Sequence, residues 1–298
     1  MATLLIGSNG LIGVNLVNYL CDMGEELICF SSRPPANPVK GCTYVQGDIT
    51  EYGTINMVLK NYKVDRIIHN AAVSHPKLYV DNPYKIYRTN VTGTLTALEA
   101  ARNYGVERFI YMSSSAVYGN VSMDVLTEDV TLFAENPYGA TKIACEHLVR
   151  CYGLDSTSLR IGHVYGPARK FECPINMLLM DCIKKGEVNW DHGIEQRLDY
   201  IFVQDVVKAV VKAAFASHLP HAEYNVGGGG EVTPFSRIVD KVQKLYPNVP
   251  INIGPGDLGY DNLGALCVDR ATADFGWKPE VSIEEGIEIY NKWLIENA

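Results

Sequence analysis

A tyrosine and a lysine four residues apart form a candidate acid–base site in this sequence. Tyr138 and Lys142, in ENPYGATKIACEHL, fall at the start of a predicted helix, where positions i and i+4 share one face. A phenol with a pKa of about 10 is a poor base at neutral pH, but a neighbouring ammonium group favours the phenolate. Such a pair is a candidate for proton transfer, although this spacing is also common by chance.

Three glycines near the start of the sequence have the spacing of a dinucleotide-binding turn. In LLIGSNGLIG, Gly7, Gly10 and Gly13 follow a predicted strand and begin a predicted helix. Glycine there permits a tight turn, close approach of a pyrophosphate and close helix–strand packing, while the helix N-terminus supplies amide donors. The other residues of this turn that we assign to cofactor binding are Asn9, Leu11 and Ile12.

The segment expected to bind adenosine leaves the identity of the cofactor open. NAD sites usually have an acidic residue about 20 residues after the glycines, but LICFSSRPP has Ser31 and Arg33 there. An arginine beside hydroxyl groups favours the 2′-phosphate of NADP, so the sequence leans towards NADP; the alternative is a solvated arginine, with NAD as cofactor. Asp48 and Ile49, after the third predicted strand, are assigned to cofactor binding; Asp48 is either an acceptor for the adenine amino group or a turn aspartate.

Short apolar runs alternate with amphipathic segments through the first half of the chain, a pattern typical of βαβ units and a doubly wound parallel sheet. The predicted strands are Thr3–Ile6, Glu26–Phe30, Thr43–Gln46, Arg66–His69, Arg108–Met112 and Ser156–Arg160. The predicted helices are Leu11–Met23, Thr54–Lys60, Tyr84–Tyr104, Tyr138–Tyr152, Ile175–Lys185, Gln204–Ala216 and Pro234–Leu245. We therefore predict an α/β fold: a Rossmann domain over 1–165, to which 200–228 returns, and a smaller C-terminal α/β substrate domain over 166–199 and 229–298.

The composition argues against several classes of function. With 47% hydrophobic and 20% charged residues over 298 positions, the chain has the composition of a globular protein. A net charge of −8 without a long basic run argues against nucleic acid or an anionic membrane as a partner. Because we find no targeting segment and no apolar stretch of the ~20 residues that span a bilayer, we expect a cytoplasmic protein. The eight cysteines have no metal-type pairs, and we interpret them as free thiols in a reducing compartment.

Taken together, the motifs resemble the extended short-chain dehydrogenase/reductases, in their NAD(P)-dependent epimerase/dehydratase branch. The Gly-x-x-Gly-x-x-Gly turn, the serine run in MSSSAVYG and Tyr-x-x-x-Lys occur in the order of that family. Segments such as TNVTGTLTALEAAR, LRIGHVYGP, QRLDYIFVQDV and FGWKPEVSIEEGI extend the resemblance over essentially the whole chain. The resemblance implies a Rossmann fold, a nicotinamide cofactor and a homodimer formed through the helices around Thr92–Tyr104 and Tyr138–Tyr152; a monomer is the alternative.

The resemblance also implies a specific role for each candidate site residue. Ser114, four residues before the tyrosine of VYG, would hold the reacting oxygen while Tyr138 removes its proton and hydride passes to the nicotinamide. Lys142 would lower the pKa of Tyr138 and bind the nicotinamide ribose. Asn90 would support the active-site backbone, the alternative being a local bond within its helix. The loop residues implied to pass close to the cofactor are Ala71 and Ala72.

The substrate is the least determined part of the prediction. Of the two arginines that hold the diphosphate in nucleotide-sugar members of the family, Arg197 in EQRLDY would be the first, but the second is replaced in GPGD by Gly254. His163 stands where many members have asparagine, and is either a substrate contact or an internally bonded histidine. We assign Ser115 to the rim of the substrate site. The residues considered as replacements for the missing arginine are Arg169, Lys170 and His192.

The same catalytic residues serve several reactions, so the outcome stays open between them. A nucleotide-sugar epimerase is the leading interpretation, and a dehydrogenase or reductase of a sugar, sugar acid or nucleotide sugar is the alternative. Dehydration is disfavoured because the Asp-Glu pair that the resemblance implies for 4,6-dehydratases is here Ser115-Ala116. A non-catalytic scaffold that only binds the cofactor is disfavoured by the intact set Ser114, Tyr138 and Lys142.

Overall fold

The computed structural model describes residues 2–74, 81–169 and 173–297, and a parallel sheet of seven strands forms its centre. The strands are β1 (Ala2–Ile6), β2 (Glu26–Ser31), β3 (Thr43–Gln46), β4 (Val64–His69), β5 (Arg108–Met112), β6 (Val125–Leu126), β7 (Ser156–Ile161), β8 (His163–Tyr165), β9 (Val188–Trp190), β10 (Arg197–Leu198), β11 (Tyr200–Phe202), β12 (Glu223–Val226), β13 (Thr233–Pro234), β14 (Ile251–Ile253) and β15 (Ala265–Leu266). The helices are α1 (Leu11–Asp22), α2 (Tyr52–Asn61), α3 (Pro83–Tyr87), α4 (Gly93–Tyr104), α5 (Pro137–Cys151), α6 (Pro174–Lys184), α7 (Val203–Phe215), α8 (Phe235–Leu245), α9 (Asp269–Phe275) and α10 (Ile283–Asn297).

The order of strands in the sheet is β3-β2-β1-β4-β5-β7-β12, and every neighbouring pair is parallel. The order reverses between β1 and β4, so a crevice opens outside the carboxyl ends of these two strands, where open α/β sheets bind their ligands. The doubly wound fold class is therefore confirmed. The six predicted strands are all present, with ends that differ by at most two residues from the prediction.

Two apolar layers cover the sheet, because its strands are apolar on both faces. On one face, α1 and α7 pack against side chains such as Leu5 and Ile68. On the other face, α2, α4 and α5 pack against side chains such as Leu4 and Ile67. The consecutive leucines of β1 therefore point into opposite layers, as the alternation of a strand requires.

The second half of the chain contributes both to the sheet and to a separate apolar cluster. Strand β12 extends the sheet beyond β7, and α7 covers it beside α1. Helices α6, α8 and α10 enclose a third cluster that includes Leu178, Phe235 and Tyr290. Short strand pairs connect this part of the chain: β8 with β11 and β9 with β14 are parallel, and β10 with β13 is antiparallel. The residue boundaries proposed for two domains stay a prediction.

The predicted helical segment over Tyr84–Tyr104 is present, but it is not α-helical throughout, because a π-helical turn, Arg88–Thr92, joins α3 to α4. The carbonyl oxygen of Asn90 in this turn accepts hydrogen bonds from Thr94 Oγ1 (2.7 Å) and Cys145 Sγ (3.3 Å). These side-chain donors change the pattern of bonds along the helix, and π-turns of this kind occur frequently at functional sites.

The prediction of eight free cysteines is also wrong, because Cys21 and Cys42 form a disulfide. Cys21 lies in the last turn of α1, and Cys42 directly precedes β3. The bond therefore joins the end of α1 to the start of β3 through two residues that are 21 apart in sequence. No short Cys-x-x-Cys spacing predicts this pair, since the contact depends on how α1 packs beside β3.

Among the residues described, no helix has the length and apolar character that crossing a bilayer requires.

Candidate functional site

The glycine turn after β1 lies in the crevice between β1 and β4. Gly7 has a φ of 90°, and a Cβ atom there would lie 2.6 Å from the backbone nitrogen of Ala71, in the loop after β4. A Cβ atom on Gly13 would lie 2.3 Å from the carbonyl oxygen of Gly7. Both positions therefore need glycine for reasons internal to the protein.

Gly10 differs from the other two glycines. It precedes the first residue of α1, and a Cβ atom on it would have no neighbour nearer than 3.7 Å. Next to it, Leu11 and Ile12 form the first turn of α1, whose backbone amides have no partner within the helix. An open glycine beside these amide donors fits the pyrophosphate of a dinucleotide, which approaches the backbone closely at this point.

Three of the residues assigned to the adenosine end of the cofactor lie on the surface around the ends of β2 and β3. Asn9 Nδ2 donates a 2.6 Å hydrogen bond to the carbonyl oxygen of Arg33, which ties the glycine turn to the loop after β2. Ser31, the last residue of β2, is half-buried, and Arg33 is exposed. Asp48 is exposed too, and its Oδ1 accepts from both the amide and the hydroxyl of Thr50 at 2.9 Å.

The loop after β4 approaches the glycine turn from the other side of the crevice. Asn70 Nδ2 donates a 2.9 Å bond to the carbonyl oxygen of Gly7, and the half-buried Ala71 and Ala72 follow it. Ile49, by contrast, is buried, and its side chain packs so closely against α4 that a Cβ atom on Gly93 would lie 2.8 Å from it. The crevice is therefore narrow at the glycine turn, where small residues line both sides.

The structure brings Tyr138, Lys142 and Ser114 together at the carboxyl end of β5. Helix α5 begins with Pro137 at its first position, and Asn136 Oδ1 caps it by accepting from the amide of Gly139 at 2.9 Å. Tyr138 thus lies in the first turn of α5 and Lys142 one turn later on the same face. Ser114 ends the segment after β5 and precedes a short 3₁₀ turn.

Burial controls the ionisation of this set. Lys142 is 3% exposed, and burial lowers the pKa of its ammonium group to about 8, against the opposing effects of Cys145 and Glu146. The ammonium donates a 2.6 Å bond to the carbonyl oxygen of Met112 and lies 5.7 Å from the centre of the Tyr138 ring. Burial raises the pKa of the Tyr138 phenol, and a hydrogen bond with the Ser114 side chain opposes that rise.

The three consecutive serines have three different environments. Ser113 is buried, and its hydroxyl donates a 2.6 Å bond to Glu146 on α5. Ser114 Oγ accepts from the amide of Ala116 at 3.2 Å, which leaves its proton directed elsewhere. Ser115 is half-buried in the 3₁₀ turn. Ser114 is therefore the serine of this run that faces Tyr138.

Asn90 connects the loop after β4 to the catalytic helix. Its side chain is buried; Oδ1 accepts from the amide of Val73 at 2.7 Å, and Nδ2 donates to Val73 O at 3.3 Å and to Thr141 Oγ1 at 2.9 Å. Thr141 Oγ1 in turn donates to the carbonyl oxygen of Tyr138 at 2.7 Å. The bonds of the Asn90 side chain thus lead out of its own helix and reach the backbone of Tyr138 through one intermediate.

Sequence reasoning missed three buried groups near this set. His69, the last residue of β4, lies 2.9 Å (Nε2) from Thr94 Oγ1, and burial, together with Lys142, lowers its pKa to about 3. Glu146 and Arg160 form a buried ion pair of 2.8 Å. Glu146 follows Lys142 by four residues, so helical spacing alone places it on the same face. Nothing local in the sequence marks His69 or Arg160.

Two of the residues predicted to bind the substrate, His163 and Arg197, have different environments. The His163 ring makes edge-to-face contacts with the rings of Tyr200 and Tyr260, each with a centroid distance of 5.2 Å. Arg197 lies on the exposed side of β10, whereas its neighbour Leu198 is buried.

Two of the three residues considered as replacements for the missing arginine lie within the described part of the chain. Arg169 Nη1 donates to the carbonyl oxygen of Val164 at 2.7 Å, and His192 is exposed. Lys170 lies outside the described residues. A second cationic contact for a diphosphate therefore stays a prediction.

A loop of the second half of the chain lies against the start of the catalytic helix. Asn136 Nδ2 donates a 3.4 Å bond to Asp261, and Asn120 Oδ1 accepts from the amide of Asn262 at 2.8 Å. Burial and the nearby Glu135 raise the pKa of Asp261. This loop, which includes Tyr260, therefore joins the environment of His163 to the N-terminus of α5.

Known proteins resemble this chain in both sequence and structure. The sequence profile of the NAD dependent epimerase/dehydratase family matches residues 3–227. The dTDP-glucose 4,6-dehydratase of Haemophilus influenzae is 26% identical over 100% of this chain and 99% of that protein. The UDP-glucuronate 4-epimerase of Thermodesulfobacterium geofontis is 26% identical over 99% of this chain and 96% of that protein.

Two solved structures extend the likeness to the whole fold. The UDP-glucose 4-epimerase of Thermus thermophilus in complex with NAD superposes with a TM-score of 0.89 at 26% identity, and each chain is covered to 100%. MoeE5 in complex with UDP-glucuronic acid and NAD gives a TM-score of 0.89 at 26% identity, again with 100% of both chains. The family resemblance inferred from the motifs is confirmed: the chain belongs to the NAD-dependent epimerase/dehydratase family of enzymes.

Proposed function

We propose that this protein is an NAD-dependent nucleotide-sugar epimerase that inverts a carbinol carbon by removing its hydride and returning it to the opposite face. The observation that carries the proposal is the set of half-buried Ser114 and buried Tyr138 and Lys142, at the same carboxyl edge of the sheet as the glycine turn. Family members with similar chains include a UDP-glucuronate 4-epimerase and a UDP-glucose 4-epimerase.

The cofactor of the proposal is NAD. The two superposed structures contain NAD, and the glycine turn leaves Gly10 open to a pyrophosphate. The lean towards NADP, drawn from Ser31 and Arg33, has no support among these structures. When bound, NAD accepts a hydride from the substrate and can return it. Residues proposed to hold it are those of the turn, Gly7–Gly13, with Asp48, Ala71, Ala72, Asn90 and Lys142.

The protein's own part in the reaction is the transfer of one proton and the orientation of one oxygen. In this proposal the Tyr138 phenolate takes the proton of the substrate hydroxyl, and Ser114 Oγ holds the same oxygen by a hydrogen bond. Burial raises the pKa of the Tyr138 phenol, and we propose that the Lys142 ammonium, 5.7 Å from the ring centre, offsets that rise when the site is loaded. With a pKa of about 8, this ammonium is charged at neutral pH. As the pH rises through about 8 the ammonium is lost, and turnover is expected to fall.

Epimerisation is favoured over dehydration by the residues that follow Ser114. Elimination of water needs further acid and base groups beside the substrate, and Ser115 and Ala116 in the 3₁₀ turn supply neither at neutral pH. The second candidate is a dehydrogenase or reductase of a sugar, sugar acid or nucleotide sugar. The specific observation that favours it is Gly254, which leaves the exposed Arg197 as one arginine where two are expected around a diphosphate.

The experiment that tests the proposal is a panel of UDP-, GDP-, CDP- and dTDP-sugars and free sugar acids, each assayed with NAD and with NADP. An epimerase converts a nucleotide sugar into its epimer, detected by NMR, with no net change in the absorbance of NADH. A dehydrogenase changes that absorbance in proportion to the substrate consumed. If no nucleotide sugar is converted or raises the melting temperature in the presence of cofactor, the epimerase proposal is rejected.

We also propose that the enzyme is a homodimer in which α4 and α5 of each subunit pair. Leu95 of α4 and Leu148 and Tyr152 at the C-terminal part of α5 are only half-buried in the single chain, which supports an apolar surface there. Size-exclusion chromatography with light scattering tests this, and a monomeric mass at micromolar concentration rejects it.

A further inference from the structure

A buried ion pair lies directly behind the candidate catalytic residues. Glu146 on α5 and Arg160 on β7 are 2% and 3% exposed, and Arg160 Nη2 donates to Glu146 Oε2 at 2.8 Å. Arg160 Nε adds bonds of 3.1 and 3.2 Å to the two carboxylate oxygens. This bidentate geometry fixes the direction of both side chains, which a single charge contact would not do.

The pair reaches both chain segments that carry the candidate catalytic residues. Glu146 Oε1 accepts a 2.6 Å bond from the hydroxyl of Ser113, the residue before Ser114. On its own helix, Glu146 is one turn beyond Lys142, which is itself one turn beyond Tyr138. A single carboxylate therefore contacts the end of β5, the body of α5 and the buried strand β7.

Further bonds hold Arg160 in place on the side away from Glu146. Its Nη1 donates to Tyr118 Oη at 3.0 Å and to the carbonyl oxygen of Glu128 at 2.8 Å. Tyr118 Oη then donates to Asn225 Oδ1 on β12 at 2.7 Å. The guanidinium group thus binds the segment after the 3₁₀ turn and, through Tyr118, the edge of the sheet.

We propose that Glu146, held by Arg160, is a positioning residue for the reaction: it fixes the distance between Ser114 on the β5 segment and Tyr138 and Lys142 on α5. This inference rests on the proposed function, since it takes those three residues as the catalytic set. Its physical basis is that β5 and α5 meet at the carboxyl edge of the sheet, where an error of ~1 Å in the placement of reacting groups costs about 100-fold in rate.

The charge of the pair also matters to Lys142, because both Lys142 and Glu146 are buried, where charges interact strongly. The ionisable groups that face Lys142 are His69 on β4, Tyr111 on β5, and Tyr138, Cys145 and Glu146 on α5, with Arg160 of β7 behind Glu146. Among these groups, the Glu146 carboxylate is the one that offsets a buried cation at neutral pH. Removing it alone leaves Arg160, which cannot release its proton, as an unpaired positive charge.

Three variants separate the positioning of Glu146 from its charge. Glu146→Asp keeps the charge but retracts the carboxylate, so kcat is expected to fall about 100-fold with the pH profile in place. Glu146→Gln is expected to lower kcat similarly and to move the fall in turnover near pH 8 to lower pH, because the unpaired Arg160 lowers the pKa of the Lys142 ammonium group further. The double variant Glu146→Gln/Arg160→Met removes both charges, and its profile is expected to return to that of the wild type while kcat stays low.

A milder variant and a matched control guard against effects of folding alone. Ser113→Ala removes only the bond from the β5 segment, and is expected to lower kcat about tenfold with little change in KM. The control is Asp155→Asn, which breaks the 2.7 Å ion pair with Arg108 at the opposite end of β5 and is expected to keep the wild-type kcat and pH profile. If the Glu146 and Ser113 variants lose only melting temperature, as a structural ion pair would, the proposal is overturned.

A measurement without substrate distinguishes failure of this inference from failure of the proposed function. The ultraviolet absorption of the phenolate, taken as the difference between each protein and its Tyr138→Phe counterpart, reports the titration of Tyr138 alone. Glu146→Asp keeps the charge but moves the carboxylate, so it is expected to shift that titration to higher pH, because the bond from Ser114 that opposes the rise in the Tyr138 pKa is weakened. A Tyr138 titration that is unchanged by Glu146→Asp overturns the inference, even if every nucleotide sugar fails to react.

Discussion

The catalytic edge of the sheet and the segment expected to hold the substrate are built in different ways. At the catalytic edge, Asn90 and Lys142 are buried and joined by hydrogen bonds to backbone atoms of other elements. On the substrate side, Arg197 and His192 are exposed, and the loop with Asp261 is anchored through the side chains of Asn120 and Asn136. The fold therefore constrains the chemical groups closely, whereas it constrains the expected substrate contacts much less.

The largest expected effect is at the catalytic edge. Tyr138→Phe removes the proposed base and is expected to lower kcat about 1,000-fold, while NAD affinity and melting temperature stay near those of the wild type. Tyr84→Phe is the matched control, since Tyr84 is 73% exposed on α3 and loses the same hydroxyl group. Steady-state kinetics and NAD titration check the prediction, and turnover that survives Tyr138→Phe would favour a cofactor-binding scaffold.

The glycine turn offers a second test with a slightly smaller expected effect, because Gly13 is required for packing whereas Gly10 is proposed to give access to the cofactor. Gly13→Ala places a Cβ atom 2.3 Å from Gly7 O, so it is expected to lower the free energy of unfolding by about 3 kcal/mol. Gly10→Ala meets only ordinary contacts, so stability is expected to hold while NAD affinity falls. Chemical denaturation and calorimetric titration measure the two quantities. Equal stability losses in both variants would contradict this division.

Lys142 links activity to stability in opposite directions. Its pKa of about 8, below the ordinary 10.5, means that burying the ammonium costs about 3 kcal/mol at neutral pH. Lys142→Met removes that cost, loses a bond to Met112 O worth about 1 kcal/mol, and is expected to gain about 2 kcal/mol of stability while turnover falls.

The sign of the pH dependence provides the check on Lys142. Between pH 8 and 10.5 the unfolded chain binds more protons at this lysine than the folded protein does, so its unfavourable contribution disappears as the pH rises. The stability advantage of Lys142→Met over the wild type is therefore expected to be full below pH 8, and to become a deficit of about 1 kcal/mol, that of the lost bond to Met112 O, by about pH 10.5. Urea denaturation of both proteins across this range measures the difference, and an advantage independent of pH would contradict the assigned cause.

The difference between local and long-range contacts explains how much of this structure the sequence alone could predict. Strands such as β1 and β5 are short apolar runs that carry their signal locally, and the sequence therefore predicts the sheet well. The π-helical turn between α3 and α4 was not predictable, because the carbonyl oxygen of Asn90 in this turn accepts from Thr94 and from Cys145, which is 55 residues away. Helical periodicity continues through the turn and therefore does not reveal it.

The candidate site follows the same rule. Tyr138 and Lys142 are neighbours on one helix, so their spacing predicts their proximity. The bond of Ser113 to Glu146 joins residues 33 apart, and the bond of Asn262 to Asn120 joins residues 142 apart. No periodicity encodes such pairs, since they arise only when β5, α5 and the later loop meet at the same edge of the sheet.

The smallest expected effect tests the substrate side directly. If Arg197 contributes one charge-assisted bond to a diphosphate, Arg197→Ala is expected to raise KM for the nucleotide sugar about tenfold with kcat unchanged, because the bond forms equally in ground and transition states. Lys244→Ala removes an exposed cation from α8 and serves as the control. A KM that is unchanged by Arg197→Ala would mean that the exposed arginine takes no part in binding, and would shift the balance towards a substrate without a diphosphate.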